Sequence, residues 1–369
     1  MTFILPDWPW DALRPHAARA SEHRQGLIDL SVGSPVDPTP AIIREALATA
    51  SDAHGYPMTV GSPALRESIV EWFSRRRGVD QLGSSNVLPT IGSKEFIAGL
   101  ALWCGISPGD VIVQPALAYP TYAVGAALVG ATIVSSDQPA EWPEGTKLIW
   151  INSPGNPNGR ILDVDELIAA LDRARELGAI IASDECYAEF GWDEQFDRAS
   201  TVSILDPRVL RGDDRSVLCV ASLSKQSNLA GYRAGFVAGD SNLIDRLVTV
   251  RKHLGVVPPA PIQAAMIAAL GDDSHVRKQK ALYRARRNRL LPALQSAGLR
   301  IDDSEGGLYL WATAGTDAWQ AVGQFAELGI LVVPGTFYGQ QRSQHVRVAL
   351  TATDTVINAA VDRLAGFSF

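Results

Sequence analysis

Short apolar runs separated by amphipathic stretches are the feature that most restricts the fold of this chain. From about residue 86, each apolar run ends in Gly, Asn or Asp, and a stretch with helical periodicity follows it. The clearest runs are residues 110–113, 147–151, 179–182 and 216–220. Runs this short and this apolar are typical of strands in a mainly parallel sheet that is buried on both faces. The alternation therefore predicts an α/β fold.

A proline cluster marks the best candidate for a domain boundary. At Pro258, Pro259 and Pro261 the alternating pattern gives way to a long helical region, short strands and a final helix. We predict a large domain over residues 33–258 and a small C-terminal domain over residues 259–369. Residues 1–32 are predicted to form an N-terminal arm and part of the small domain. A chain of 369 residues is long enough for this division.

The segment from Ser62 carries the clearest local helix signal. Ser62 can cap the helix, Pro63 suits its first turn and Glu67 can assist the start. Gly78 follows the basic run at residues 75–77 and suits the end of the helix. Apolar side chains recur on one predicted face: Leu65, Ile69, Trp72 and Phe73.

Composition and charge exclude several classes of function. The formal net charge is -7, so binding to nucleic acid has no electrostatic support. The basic cluster at residues 284–289 is interpreted as a solvated helix face. No stretch approaches the ~20 apolar residues of a membrane span, and the N-terminus lacks the pattern of a signal peptide. The three cysteines show neither disulfide nor zinc spacing, so we predict a cytoplasmic protein without a metal site.

Lys225 lies in a segment whose residue types suit covalent chemistry beside a phosphate. Ser222 and Ser224 precede it, and Arg233 follows after a run of small residues. A lysine that forms a Schiff base must lose its proton readily, which partial burial favours. Hydroxyls, backbone N–H groups and a guanidinium are the donors that a phosphate requires. Taken alone, the run could also be a Ser/Gly-rich surface loop.

Further polar motifs follow the predicted strands, where ligands bind in open α/β sheets. Gly92, Ser93 and Lys94 open a predicted helix whose N-terminus can bind an anion. Tyr119 follows the run at 110–113. Later runs precede three further candidates: Asn156, Asp184 and Tyr187. Each motif also has a purely structural interpretation, as a helix cap, a turn or a core aromatic.

Together these motifs, in this order and spacing, resemble the class I/II, fold-type I aminotransferases, which depend on pyridoxal 5′-phosphate (PLP). The resemblance covers nearly the whole chain. It implies a large domain with a mainly parallel seven-stranded sheet between helices, and a smaller α+β domain. It also implies that Lys225 forms the Schiff base with PLP and that Asp184 keeps the pyridine nitrogen protonated.

The same resemblance assigns the remaining cofactor contacts. Tyr187 and Asn156 would donate to the 3′-oxygen of PLP, and Tyr119 would stack on its ring. The phosphate would be bound by Gly92, Ser93, Lys94, Ser222, Ser224 and Arg233. Tyr56 resembles the tyrosine that reaches the phosphate of the neighbouring subunit, which implies a homodimer with shared active sites.

Substrate recognition is likewise implied by resemblance. Arg347 matches the arginine that binds the substrate α-carboxylate, and a guanidinium offers the two-pronged contact that this group favours. Gly33 matches the glycine whose backbone lies against the same carboxylate, and Asn156 would help to orient the substrate. Without the resemblance, a lone arginine in a predicted edge strand would be interpreted as a solvated residue.

Residues 5–11, 30–38, 91–95 and 306–311 are similar to the actinobacterial succinyldiaminopimelate aminotransferases. This similarity implies transfer of an amino group from N-succinyl-LL-2,6-diaminopimelate to 2-oxoglutarate in lysine biosynthesis. Aspartate, aromatic and LL-diaminopimelate aminotransferases would share almost all the same residues and stay open as alternatives, as does a PLP-dependent lyase. Three residues are candidates for binding the distal part of the substrate: Tyr309, Arg14 and Lys252. Each of them could equally lie on the surface or in the core.

Overall fold

A seven-stranded sheet forms the centre of the larger part of the chain. We describe the protein from a computed structural model, and the residues described are 5, 9–197, 200–339 and 344–369. In the order in which they lie, the strands are β2 (Val87–Ile91), β8 (Ala234–Gly239), β7 (Val217–Ser222), β6 (Ile180–Asp184), β5 (Thr146–Asn152), β3 (Val111–Gln114) and β4 (Thr132–Ser135). β8 is antiparallel to both of its neighbours, and the other pairs are parallel. The predicted α/β fold with a mainly parallel seven-stranded sheet is confirmed.

Both faces of this sheet are covered by helices. Successive residues of one strand point to opposite faces, so Leu148 and Trp150 join one core cluster while Ile149 and Ile151 join the other. This burial on both sides explains why the runs are apolar throughout. The first cluster is completed by α4 (Gly92–Trp103), α5 (Thr121–Val129) and α9 (Ser241–Leu254), and the second by α2 (Ala41–Thr49), α3 (Pro63–Trp72), α6 (Val164–Leu177), α7 (Pro207–Leu210) and α10 (Ala260–Gly271).

A second sheet has its own core. Its antiparallel strands lie in the order β12 (Val333–Pro334), β13 (His345–Ala349), β10 (Tyr309–Thr313) and β9 (Arg300–Asp302). A short parallel pair joins β1 (Ile28–Asp29) to β11 (Ile330–Leu331). The surrounding helices are α1 (Arg14–Ser21), α11 (Asp273–Ser296), α12 (Ala318–Glu327) and α13 (Asp354–Leu364). The N-terminal segment therefore pairs with the C-terminal part of the chain.

The domain division at residues 32 and 258 stays a prediction. Although α10 follows the proline cluster, it packs against α2 and α3 and buries Met266 in the same cluster as the large sheet. The next helix, α11, carries Tyr283, Leu290 and Leu294 into the second cluster. Along the chain, the switch from the core of the large sheet to the core of the second sheet therefore lies between α10 and α11. Pro6, Asp7 and Trp8 of the N-terminal motif lie outside the described residues.

The predicted cap at Ser62 is confirmed. Its hydroxyl accepts a hydrogen bond from the Leu65 N–H at 3.2 Å. The regular α-helix ends at Trp72, and one wider turn (Phe73–Arg77) precedes Gly78, which has a left-handed φ of 64°. Arg77 is buried and forms an ion pair with Glu185 at 2.5 Å, so this basic residue belongs to the core. It fixes the residue that immediately follows Asp184.

The interpretation of residues 284–289 as a solvated helix face is wrong at Arg286. This side chain is buried on α11 and pairs with Asp37 at 2.6 Å and with Asp354 at 2.8 Å. Arg284 and Arg287 are half-buried, and Arg289 is exposed. Arg286 thus connects the N-terminal segment that carries Gly33 to two helices of the second core. In the part of the chain that the structure describes, no helix is long and apolar enough to cross a bilayer.

Candidate active site

The carboxyl ends of several strands of the large sheet surround one pocket of about 500 Å³. β2, β3, β5, β6 and β7 run in the same direction, so the residues that follow them meet at one edge. The reversed strand β8 begins at this edge, directly after Arg233. Of the predicted site residues, the pocket is lined by Gly33, Ser93, Lys94, Tyr119, Asn156, Asp184, Tyr187, Ser222, Ser224, Lys225, Arg233 and Arg347. Two predicted site residues are not in this lining: Gly92, which lies next to Arg233 beside the pocket, and Tyr56.

Lys225 lies on α8 (Leu223–Gln226), a single helical turn directly after β7. Ser222 caps this turn, since its hydroxyl accepts a hydrogen bond from the Ser224 N–H at 3.2 Å. The Lys225 amine donates to the carbonyl oxygen of Gly33. Burial lowers the pKa of Lys225 below its ordinary value because the charged form is poorly solvated. The amine is therefore more readily deprotonated than that of a surface lysine.

Asp184 ends β6 as a buried carboxylate with two hydrogen-bond donors. The Tyr122 hydroxyl donates to it at 2.8 Å and the Cys186 N–H donates at 3.2 Å. Burial raises the pKa of Asp184, and the two hydrogen bonds oppose that rise. A cation placed against this carboxylate would favour its ionised form further. Asp184 is therefore suited to hold a protonated ring nitrogen.

Tyr122 is a residue that the sequence analysis did not assign to the site. It lies in the first turn of α5, and its ring stacks on Trp150 with centroids 5.0 Å apart. Burial and the Asp184 charge hold the pKa of Tyr122 well above its ordinary value, so it remains a donor. The available signal was its position three residues after Tyr119, one helical turn along the same segment.

One end of the pocket is suited to an anion. α4 begins at Gly92, and Ser93 and Lys94 lie in its first turn, where helix N–H groups and the helix dipole favour negative charge. Gly92 has a φ of 69°, and a Cβ there would lie 2.5 Å from an Arg233 guanidinium nitrogen. Glycine thus lets Arg233 lie directly against the helix start. Burial and the neighbouring Arg233 lower the pKa of Lys94.

Arg347 provides a second cation on a different sheet. It lies on β13 and is buried, with its guanidinium 3.9 Å from the centre of the Tyr309 ring. It donates to the Asn156 side-chain oxygen at 3.0 Å and to the Ser31 carbonyl at 2.6 Å. Within the described residues its Nε has no hydrogen-bond partner. A buried guanidinium with remaining donor capacity is suited to a carboxylate.

The aromatic candidates have different positions. Tyr119 lines the pocket, and burial raises the pKa of its hydroxyl. The Tyr187 hydroxyl lies 3.0 Å from that of Tyr309, which also lines the pocket. Tyr56 is fully exposed on this chain. Of the three candidates for the distal part of the substrate, Tyr309 reaches the pocket, whereas Arg14 and Lys252 lie exposed outside its lining.

Comparison with known proteins decides the family. The pattern described as "Aminotransferase class I and II" matches residues 25–364. The chain belongs to the class I and II aminotransferases. It is 52% identical over 361 residues to a 4-dedimethylamino-4-oxo-anhydrotetracycline transaminase of Streptomyces rimosus, which covers 98% of this chain and 99% of the relative. It is 51% identical to a probable aminotransferase of Mycobacterium tuberculosis, over 98% of this chain and 85% of the relative.

A solved structure agrees with the assignment to the class I and II aminotransferases. The N-succinyldiaminopimelate aminotransferase of M. tuberculosis superposes with a TM-score of 0.84 at 26% identity, over 95% of this chain and 98% of the other. The chain is thus an aminotransferase that acts on amino acids and 2-oxo acids and depends on PLP.

The residues of the pocket fit PLP. The cofactor has an aldehyde, a ring nitrogen and a phosphate, and the pocket offers a depressed-pKa lysine, a buried carboxylate and a helix N-terminus with an adjacent arginine. The missing side chain of Gly92 leaves the phosphate-binding end open to Arg233. No group of three or more His, Cys, Asp or Glu side chains in the described ranges could hold a metal ion.

Gly33→Ala tests the close packing between the N-terminal segment and β10. A Cβ at Gly33 would lie 2.0 Å from the Tyr309 hydroxyl oxygen, so either the ring or the backbone that contacts Lys225 must move. We expect kcat/KM for transamination to fall about 100-fold, because reacting groups tolerate little displacement. Gly323→Ala is the matched control, since a Cβ there meets no atom within 4 Å. An unchanged kcat/KM in Gly33→Ala would contradict this packing.

Proposed function

We propose that this aminotransferase converts N-succinyl-LL-2,6-diaminopimelate and 2-oxoglutarate into N-succinyl-2-amino-6-oxopimelate and glutamate, a step of lysine biosynthesis. The observation that carries the transamination is the buried Arg347, whose remaining donors suit the carboxylate that lies next to the reacting carbon in both the amino donor and 2-oxoglutarate. The similarity of four sequence segments to the succinyldiaminopimelate enzymes favours this donor. So does the shared fold of the mycobacterial N-succinyldiaminopimelate aminotransferase.

In this proposal Lys225 is the residue to which PLP is attached, and it also moves the proton of the reaction. The bound cofactor supplies an electron sink that stabilises negative charge at the substrate Cα. The neutral Lys225 Nζ would take the proton from the substrate Cα as a general base. Its lowered pKa favours the neutral amine that this step needs.

The other residues hold and orient the reactants. Asp184, supported by Tyr122 and Cys186, keeps a proton on the ring nitrogen. Tyr187 and Asn156 donate toward the 3′-oxygen, and Tyr119 stacks on the ring. Ser93, Lys94, Ser222, Ser224 and Arg233, with the N–H groups that follow Gly92, bind the phosphate. Arg347, Asn156 and Gly33 fix the α-carboxylate, so that the Cα–H bond is aligned with the cofactor.

A second candidate reaction is the amination of a ring ketone on a polycyclic substrate. The tetracycline-pathway relative, at 52% identity over nearly the full length of both chains, supports it. The amino donor would still be an amino acid bound by Arg347. The two candidates therefore share the first half of the reaction and differ in the second substrate.

Product analysis separates the candidates. With 2-oxoglutarate as acceptor, we expect glutamate to form from N-succinyl-LL-diaminopimelate with a kcat/KM at least about tenfold above that for aspartate, phenylalanine or unmodified LL-diaminopimelate. A coupled assay of glutamate measures this ratio. Activity with aspartate alone would exclude the proposed substrate and leave the aminotransferase assignment intact. Amination of the anhydrotetracycline ketone by glutamate, without activity on the succinylated donor, would favour the second candidate.

Lys225→Ala tests the attachment site. In the parent enzyme, borohydride reduction followed by peptide mass analysis should place the cofactor on Lys225. In Lys225→Ala we expect no reducible adduct and a loss of transamination, because no other amine takes the same place. Lys252→Ala, which changes an exposed lysine outside the pocket, is the control and should keep the adduct. A reducible adduct of PLP in Lys225→Ala would show that another amine holds the cofactor.

We also propose that two chains form a dimer in which Tyr56 of each binds the phosphate in the site of the other. In its favour, Tyr56 is fully exposed on this chain, and other apolar side chains nearby in sequence, such as Val36, Ile42 and Met58, are about half exposed. Exposed apolar side chains of this kind often mark an interface.

Hybrid dimers test this arrangement. Tyr56→Phe and Lys225→Ala are each expected to reduce transamination. In a hybrid of the two chains, one site regains both intact residues if Tyr56 acts across the interface. Random mixing of equal amounts should then restore about one quarter of the parent activity. No recovery in verified hybrids would place Tyr56 outside the neighbouring site.

A further inference from the structure

Tyr309 is a buried tyrosine in the pocket whose hydroxyl contacts two parts of the site at once. It lies on β10, and 3% of its surface is exposed. Its hydroxyl is 3.0 Å from the Tyr187 hydroxyl. The same oxygen lies so close to Gly33 that a Cβ there would be 2.0 Å away, and the Gly33 carbonyl accepts a hydrogen bond from Lys225. Tyr309 therefore connects Tyr187 to the backbone that positions the lysine.

A hydroxyl carries a single proton, which limits how the two tyrosines can bond. If Tyr187 donates to Tyr309, its proton is used and none remains for a ligand. If Tyr309 donates to Tyr187, the Tyr187 proton stays available to a third group in the pocket. The chemistry of the site thus depends on which tyrosine is the donor.

The charges around the pair favour Tyr309 as the donor. Although burial opposes it, the Arg347 guanidinium over its ring and the nearby Lys225 amine lower the pKa of Tyr309. Burial raises the pKa of Tyr187 well above its ordinary value. The guanidinium that lies 3.9 Å from the centre of the Tyr309 ring makes its hydroxyl the better donor of the two, so we assign Tyr309 as the donor in this hydrogen bond.

We propose that Tyr309 is a positioning residue of the reaction, whose hydroxyl donates to Tyr187 and so directs the Tyr187 proton toward the 3′-oxygen of bound PLP. The inference rests on the proposed role of Tyr187 and is independent of which amino acid is the substrate. Hydrogen bonds in such a chain strengthen one another, so loss of the first donor weakens the second. When the negative charge on the 3′-oxygen is stabilised less, the proton that this oxygen shares with the Lys225 nitrogen is held more tightly.

The pH at which the bound cofactor changes its absorbance reports this proton directly. We expect the midpoint pH of this absorbance change to be higher in Tyr309→Phe by about half a pH unit or more, since the loss of a neutral hydrogen bond has an effect of this order. The ring, and with it the stacking on Arg347, is kept in this variant. Each variant is titrated at saturating PLP, so that weaker retention of the cofactor does not prevent the measurement.

Tyr338→Phe is the matched control. The Tyr338 ring also lies near the Arg347 guanidinium, at 5.1 Å from its centre, but within the described residues its buried hydroxyl has no hydrogen-bond partner. Its removal should leave the midpoint unchanged to within about 0.2 unit. Tyr187→Phe should raise the midpoint, and adding Tyr309→Phe to it should cause no further rise, because the second tyrosine acts through the first.

Each result bears on a distinct claim. A rise in Tyr187→Phe without one in Tyr309→Phe would overturn the role of Tyr309 and leave that of Tyr187 intact. Additive rises in the double variant would also overturn it, since Tyr309 would then act independently of Tyr187. No rise in Tyr187→Phe would overturn the proposed role of Tyr187 and this inference with it.

Discussion

An excess of positively charged side chains around one pocket is the constraint on which the rest of this site depends. Lys94, Lys225, Arg233 and Arg347 line it, and Asp184 is the one carboxylate among the described lining residues. Arg347 is buried with donor capacity left over, and a buried cation without a matching anion destabilises the folded chain. A ligand that brings a phosphate and a carboxylate restores the balance, and its binding free energy then adds to the stability of the fold. The charge pattern thus favours a phosphorylated cofactor together with an amino-acid substrate.

The two anion sites are built by different sheets. Arg233 and the start of α4 belong to the edge of the large sheet, whereas Arg347 belongs to β13 of the second sheet. The segment at residues 31–33 joins them, because Ser31 accepts from Arg347 and Gly33 accepts from Lys225. Its position is fixed in turn by the buried pair of Asp37 with Arg286. A change in the second core can therefore alter the distance between Arg233 and Arg347 without touching either residue.

The strands and the Ser62 cap could be predicted from the sequence because each depends on residues that are close together in the chain. Most residues of the pocket lining could be predicted because they belong to motifs that resemble those of a known family. The side chains that were misjudged depend on distant partners. Arg286 was interpreted as solvated, and its carboxylate partner Asp37 lies 249 residues away. Tyr122 was missed although it follows Tyr119 by three residues, and Tyr309 was one of three open candidates, because their hydroxyl partners, Asp184 and Tyr187, are distant in sequence. The packing of α10 on α2 and α3 likewise joins parts of the chain that are distant in sequence, which a local pattern does not indicate.

In the proposed function, the type of reaction and the choice of substrate depend on different residues of the pocket. In the proposed mechanism Lys225 and Arg347 meet groups that every amino-acid donor presents and Asp184 meets the cofactor, so none of the three contacts the side chain of the substrate. The N-terminal segment contributes three uncharged residues to the lining of the pocket: Trp10, Val32 and Ser34. This segment pairs with β11 through β1, and its Leu30 carbonyl accepts a hydrogen bond from the Ala349 N–H at the end of β13. Changes at Trp10, Val32 or Ser34 can therefore alter the surface of the pocket, whereas Gly33 in the same segment is constrained by its contact with Lys225.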